Sequence, residues 1–247
     1  FLLEKTAFLS LADMGKALPS YEEIPIACRM DETVQSEYKR IENALVRVLR
    51  SDRRAAQKIL SAYLNLLTVY PDQPYDQKPI LYPDSDVPIV EPENIGDVDT
   101  LGEKEQRTLE IVKAAIQNGE RALIYTSWVR TDSQQKLKKL LTDEGYRTEI
   151  LTDKIKTTDR EDWVQKKLTA GMQVLIVNPS LVETGLDLNA FTTLVFYSMG
   201  YKLFTLRQAS RRSWRINQKA PAVKVYMLYY EDTMQQKCLK LMASKLA

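Results

Sequence analysis

Three short runs, QVLIV (173–177), TLVFYS (193–198) and VKVYMLY (223–229), are almost continuously β-branched or aromatic. Strands of this composition are buried on both faces, whereas a sheet with one wet face alternates apolar and polar residues. From residue 101 onward such runs alternate with segments of helical periodicity. The pattern predicts helix 103–118, strand 121–126, helix 131–143, strand 147–151, helix 158–169, strand 173–177, strand 193–198, helix 204–216, strand 223–229 and helix 231–245. That order specifies an α/β fold in which helices wrap a parallel sheet. In such sheets ligands bind beyond the C-terminal strand ends, so function is expected in the segments after residues 126, 177 and 198.

The preceding sequence has a different character. Residues 71–100 hold six prolines and eight acidic residues against one Lys, which reads as an extended, solvent-facing connector. It divides the chain into a helical region 1–70, the Pro-rich acidic connector 71–100 and the α/β lobe 101–247. Within the first region, Val34, Tyr38, Ile41, Leu45 and Val48 recur at helical spacing after the candidate N-cap Asp31. Ile59, Leu60, Tyr63, Leu64 and Leu67 do so after Ser51-Asp52. A strand at Glu23–Met30 and a helix near residues 2–17 complete this region. So small a patch needs another surface to pack on.

Composition removes whole classes of chemistry. There is no histidine, so no Ser-His-Asp or Cys-His nucleophile and no imidazole base. The two cysteines, Cys28 and Cys238, draw no disulfide framework, which fits a reducing compartment. The closest glycines, Gly96 and Gly102, are six positions apart, so the chain contains no G-x-x-x-x-G-K phosphate loop, no G-x-G-x-x-G and no G-x-S-x-G elbow. The opening run carries Glu4, Lys5 and Asp13 and is neither signal peptide nor membrane helix, so no membrane partner and no secretion are expected. The chain opens at Phe1 without an initiator Met, as a segment of a longer protein would.

Net charge is only +2, but residues 201–247 hold ten Lys/Arg against two Asp/Glu, a cue for phosphate-bearing partners. Inside that end lies QASRRSWRINQ, Gln208–Gln218. On a helix of about 100° per residue, Gln208, Arg211, Arg212 and Arg215 share one stripe. Such a stripe is ordinarily a solvated face paired with carboxylates. Here residues 188–230 contain seven Lys/Arg and no Asp or Glu, which favours an anion as the partner. A second polar cluster, VNPSLVETGLDL (177–188), follows a buried strand directly. It gathers Asn178, Ser180, Glu183, Thr184 and Asp187 around Gly185, and an ordinary Asn-Pro strand exit would look much the same. Thr126-Ser127-Trp128 is a third, plainer strand end.

Taken together, the order and spacing of these segments resemble the second RecA-like lobe of superfamily 2 helicases, in particular the Swi/Snf-like translocases. The final motif of that family runs Q-A-x-G-R-A-H-R-I-G-Q. Gln208, Ala209, Arg212, Arg215, Ile216 and Gln218 stand in register with it, while Arg211, Ser213, Trp214 and Asn217 depart. ETGLDL resembles motif V and ALIYTSW motif IV, and Asp159-Arg160 and Thr233-Met234 also find counterparts. The resemblance implies a RecA-like parallel sheet flanked by helices, preceded by a small mostly helical region that braces the two lobes. It further implies that Arg212 and Arg215 are arginine fingers on the γ-phosphoryl group of ATP, with Gln208, Gly185 and Asp187 at the nucleotide. Thr126, Ser127, Asn178 and Ser180 would touch the tracked nucleic-acid backbone, double-stranded DNA by analogy with the family. The phosphate loop and the residues holding Mg²⁺ would belong to an N-terminal lobe outside these residues, so that the chain alone binds no cofactor tightly and does not hydrolyse ATP. Location would be cytoplasmic, or nuclear in a eukaryote. Two competing readings stand beside this one: a non-catalytic nucleic-acid or partner-binding module built on a helicase lobe, and a small-molecule α/β enzyme using Glu183 and Asp187 as acid and base.

Overall fold

A computed structural model of the chain describes residues 19–127, 132–182, 185–198, 208–209, 211–214, 218 and 220–244. The helix expected near residues 2–17 lies outside these. Strand β1 (Ser20–Cys28) leads into helices α1 (Glu32–Ser51) and α2 (Arg53–Val69). Asp31 starts α1 by accepting the Thr33 amide at 2.9 Å. Asp52 then serves two helices: its own amide ends α1 on Val48 O, and its carboxylate accepts the Arg54 and Ala55 amides at the start of α2. The predicted stripes face inward. Val34, Tyr38, Ile41, Leu45 and Val48 are buried, as are Ile59, Tyr63 and Leu67, and the Tyr63 hydroxyl donates to Ile41 O at 3.1 Å. Leu60 is the exception at 38% exposed, because it lies one position round the helix from that face.

The 71–100 segment departs from expectation. It holds a small antiparallel hairpin, β2 (Ile80–Leu81) with β3 (Pro88–Val90), and its first turn is buried at Asp72, Gln73 and Tyr75. It is therefore not solvent-facing along its length. The Tyr70 hydroxyl reaches Glu93 O at 2.9 Å and the Ile95 amide reaches Pro74 O at 2.7 Å, folding the segment back on itself. Proline and acid content alone could not reveal these partners, which lie some twenty residues away along the chain.

The remaining elements are α3 (Glu103–Gln117), β4 (Ala122–Tyr125), α4 (Ser133–Asp143), β5 (Thr148–Leu151), α5 (Arg160–Thr169), β6 (Val174–Val177), β7 (Thr193–Phe196), β8 (Ala222–Tyr230) and α6 (Met234–Ser244). Six strands form one wholly parallel sheet in the order β1-β8-β7-β4-β6-β5. The strand anticipated at Glu23–Met30 thus runs Ser20–Cys28 and pairs with β8 from Ser20↔Ala222 to Cys28↔Tyr230. Alternate residues feed two cores. Leu123, Tyr125, Leu175, Val177, Leu194 and Phe196 join Val164 of α5 on one face. Ala122, Ile124, Val174, Ile176 and Val195 join Val112 of α3 and Leu137 of α4 on the other. Both cysteines are buried and unbridged, and burial pushes the Cys28 thiol up to about 12. No helix among the described residues is long and apolar enough to cross a membrane.

Candidate functional site at the strand ends

Chain order reverses at β4, which has β6 on one side and β7 on the other. The crevice that opens at such a switch point is the natural ligand position in a parallel sheet. The three polar strand ends meet there. Ser127 donates its amide to Ser198 Oγ at 2.7 Å and its hydroxyl to Ser198 O at 3.0 Å. From the other side Asn178 Nδ2 donates to Ser127 O at 3.2 Å, while Asn178 Oδ1 accepts the amide and the hydroxyl of Ser180. Asn178 therefore caps the 3-10 turn Pro179–Leu181 and ties β6 to β4 in one residue. Arg160 braces the same turn, its Nη1 on Leu181 O at 2.9 Å. Ser127 is half-buried and Ser180 exposed, so this side of the network is open to solvent. Thr126 is fully buried with its hydroxyl accepting from Gln134 at 2.8 Å, and it anchors the loop to α4 instead of presenting a hydroxyl to a ligand.

Beyond Val182, Gly185 adopts φ +80° and is exposed. That left-handed conformation suits glycine, and an added Cβ would meet nothing within 4 Å. Gly185→Ala is therefore expected to cost about 1 to 2 kcal/mol from backbone strain alone, read as a lowered urea midpoint with an unchanged slope. Asp187 turns inward on its own loop, with Oδ1 accepting the Asn189 amide at 3.0 Å and Oδ2 the Asn189 side chain at 3.3 Å.

The expected helix 204–216 does not hold through the arginine segment. Residues 208–209 are helical, but 211–213 form a turn and bend and 214 has no regular structure. Side chains compete with the helix for backbone partners here. Ser213 Oγ donates to Leu188 O at 3.1 Å, Trp214 Nε1 to Pro19 O at 2.8 Å, and the Gln218 amide to both Asn189 O and Ser213 O at 2.9 Å. These bonds lash the arginine segment to the 188–189 loop and to the start of β1. They also break the single stripe. Arg211 stacks over Trp214 at 5.8 Å, and Trp214 in turn packs on Tyr21 with ring centroids 5.1 Å apart. The buried Tyr125 hydroxyl donates to Ala209 O at 3.0 Å, seating the helical residues over β4, and Tyr125 stacks on Phe196. Burial pushes the Tyr125 phenol up and the charge of half-buried Arg212 acts against it, while the Arg212 amide donates to Ala209 O at 3.1 Å, the same carbonyl that Tyr125 reaches. Gln208 is half-buried. Arg215, Trp128, Glu183 and Thr184 lie outside the described residues.

A buried ion network behind β7 escaped the sequence reading. Lys104, with no exposed surface, donates to Asp72 at 2.7 Å, Tyr197 O at 2.8 Å and Gln235 Oε1 at 3.0 Å. Beside it Glu105 binds Lys136 at 2.6 Å and accepts the Tyr197 hydroxyl at 2.9 Å. Gln235 extends the network to Thr68 O of α2 at 2.9 Å. One signal was available. Lys104 lies on the same helical face as buried Thr108, Val112 and Ala115, at i, i+4, i+8 and i+11. The network fastens the helical pair to the strand end that carries Tyr197 and Ser198.

Comparisons with known proteins agree with this fold. Residues 103–217 match the family model for the helicase conserved C-terminal domain. The C-terminal part of the Fun30 ATPase domain superposes with a TM-score of 0.65 at 15% identity, over 91% of this chain and 90% of that one. The Sulfolobus solfataricus SWI2/SNF2 ATPase C-terminal domain gives 0.62 at 18% identity, over 92% and 87%. The ATPase core of the Sulfolobus protein in complex with dsDNA gives 0.65 at 21% identity, with 95% of this chain covering 46% of that one. No curated protein sequence matches the chain. The fold is RecA-like, with a helical region at its N-terminal side.

Proposed function

We propose that this chain, which carries a helicase conserved C-terminal domain over residues 103–217 on the fold of the SWI2/SNF2 ATPase C-terminal domains, is the second lobe of an ATP-driven translocase on double-stranded DNA. The observation behind this reading is the convergence at one switch point of three polar strand ends and the arginine segment, held by Asn178, Ser127, Tyr125 and Gln218.

The crevice suits a polyphosphate. The Arg212 amide shares the Ala209 carbonyl with Tyr125 of β4, in a stretch of 43 residues, 188–230, without a single carboxylate. A guanidinium offers a permanent charge and a planar fork of donors to phosphoryl oxygens. Arg212 and Arg215 would act as fingers on the transferring phosphoryl group, a role that needs no proton transfer and so no histidine. Gln208 would steady the nucleotide side of this arrangement. Asp187, with both oxygens on Asn189, would act by shaping the turn that brings the Gly185 backbone close to the ribose. ATP itself would be cradled by a phosphate loop on a partner lobe, where we also assign Mg²⁺. Ser127 and Ser180 would meet the phosphodiester backbone, contacts that position a strand without reading its sequence, with buried Asn178 holding both in place. Thr126 would support them from beneath.

The purified 247-residue chain is expected to leave ATP unhydrolysed, because its glycines form no phosphate loop. Turnover by that chain, abolished by Arg212→Ala, would place the whole site in this lobe and overturn the division proposed.

A further inference from the structure

Arg212 lies between two fixed points. Upstream, its amide donates to Ala209 O at 3.1 Å, the carbonyl that the buried Tyr125 hydroxyl also reaches. Downstream, Ser213 is fully buried with its hydroxyl on Leu188 O, and Trp214 places its indole N–H on Pro19 O at 2.8 Å. Residues 211–214 are not helical, so no ladder of i to i−4 bonds directs the chain here. Side chains direct it instead.

Trp214 has the longest reach of these anchors, 195 positions along the chain to the residue just before β1. That residue is itself held, since Ser20 gives both its amide and its hydroxyl to Pro221 O, at 2.9 and 3.3 Å. The indole is packed as well as bonded. The Tyr21 ring of β1 lies 5.1 Å from it and the Arg211 guanidinium 5.8 Å, and both Tyr21 and Trp214 border the core that contains Val164 of α5. Three of the four residues at which this segment departs from Q-A-x-G-R-A-H-R-I-G-Q make these contacts: Arg211, Ser213 and Trp214. A glycine at 211 has no side chain to stack and an alanine at 213 no hydroxyl to give, so the linkage belongs to this chain's own sequence.

We propose that Trp214 is a positioning residue for Arg212, and that the start of β1 thereby regulates the crevice: the guanidinium is aimed at the phosphoryl group while the indole is seated on Pro19 and Tyr21. This role rests on the assignment of Arg212 to the transferring phosphoryl group. Trp214 itself touches no reacting atom. Its loss costs rate and not ground-state binding, because the phosphate loop that cradles ATP lies on the other lobe.

Steady-state hydrolysis by the protein that also carries the phosphate-loop lobe tests this. Trp214→Phe keeps a ring against Tyr21 and removes the N–H, and kcat should fall about ten-fold, the worth of one hydrogen bond. Trp214→Ala removes the ring as well and should cost about 10²-fold. In both variants KM for ATP and affinity for double-stranded DNA stay at their wild-type values. Tyr21→Ala should lower kcat too, yet add nothing in the Trp214→Ala background, because the two side chains act through one contact. Amide hydrogen exchange on the purified 247-residue chain reads the tether without ATP: Trp214→Phe should speed exchange at residues 211–214 while the sheet keeps its protection. A kcat for Trp214→Ala within about two-fold of wild type, beside an inactive Arg212→Ala, overturns the positioning role and leaves the finger reading standing. Full hydrolysis by Arg212→Ala overturns both. A rise in KM that accounts for the whole loss, or lost protection across the entire sheet, would make Trp214 an ordinary core residue and overturn the proposal as well.

Discussion

Arg212→Ala in the protein that also carries the phosphate-loop lobe is expected to lower kcat for ATP hydrolysis by about 10³-fold or more, with affinity for double-stranded DNA changed only a few-fold. The magnitude follows from what a finger does. It neutralises charge that spreads over the phosphoryl oxygens in the transition state, and such arginines contribute roughly 10³ to 10⁵ in rate. The substitution itself removes little structure, since Arg212 is half-buried in a turn whose seat is made by the Tyr125–Ala209 hydrogen bond and the Ser213–Leu188 bond. Single-turnover hydrolysis and filter binding at fixed salt separate the two readouts. If DNA binding collapses while hydrolysis per bound complex survives, the arginine segment is a nucleic-acid groove and the finger assignment fails. Arg211→Ala makes the internal control. Its guanidinium already stacks on Trp214, so hydrolysis should change little.

Lys104→Met is expected to destabilise the fold by about 3 to 5 kcal/mol, the cost of leaving a buried charge without its partner. Methionine can occupy the volume but offers no donor to Asp72, Tyr197 O or Gln235. Burial pushes the Asp72 carboxyl up, against the lowering influence of the Lys104 ammonium, so losing Lys104 removes the largest influence that opposes burial. Urea unfolding reads the loss. The double variant Lys104→Met/Asp72→Asn should recover part of it, because a neutral amide is far cheaper to bury than a carboxylate. A loss below about 1 kcal/mol would mean that solvent reaches the pair and that the network does not fasten the helical region to the sheet.

The elements were legible because each rests on a short local period. VLIV and TLVF needed only two faces to bury, and the stripe from Val34 to Val48 needed only one. The positions of the polar strand ends followed from the same pattern, since a parallel sheet puts its ligand crevice at those ends. The arginine segment was misread for an instructive reason. Its spacing is helical, but Ser213, Trp214 and Gln218 find backbone partners at Leu188, Pro19 and Asn189, between 25 and 195 residues away along the chain, and those bonds displace the helix. The connector is solvent-facing at seven of its eight acidic residues, as its composition predicts. The eighth, Asp72, is buried against a lysine 32 residues away.

Taken by itself, then, the sequence determined the strands, most helices, the parallel sheet and the segments that meet at its switch point. All of these depend on whether a side chain at a given period is apolar. Only the tertiary structure decided what each polar side chain does: that Arg211 stacks on Trp214, that Thr126 supports while Ser180 is exposed, and that Lys104 is a core residue. A charge or hydroxyl can be buried only if partners surround it. For Lys104 those partners lie 32, 93 and 131 residues distant, beyond the reach of any local pattern.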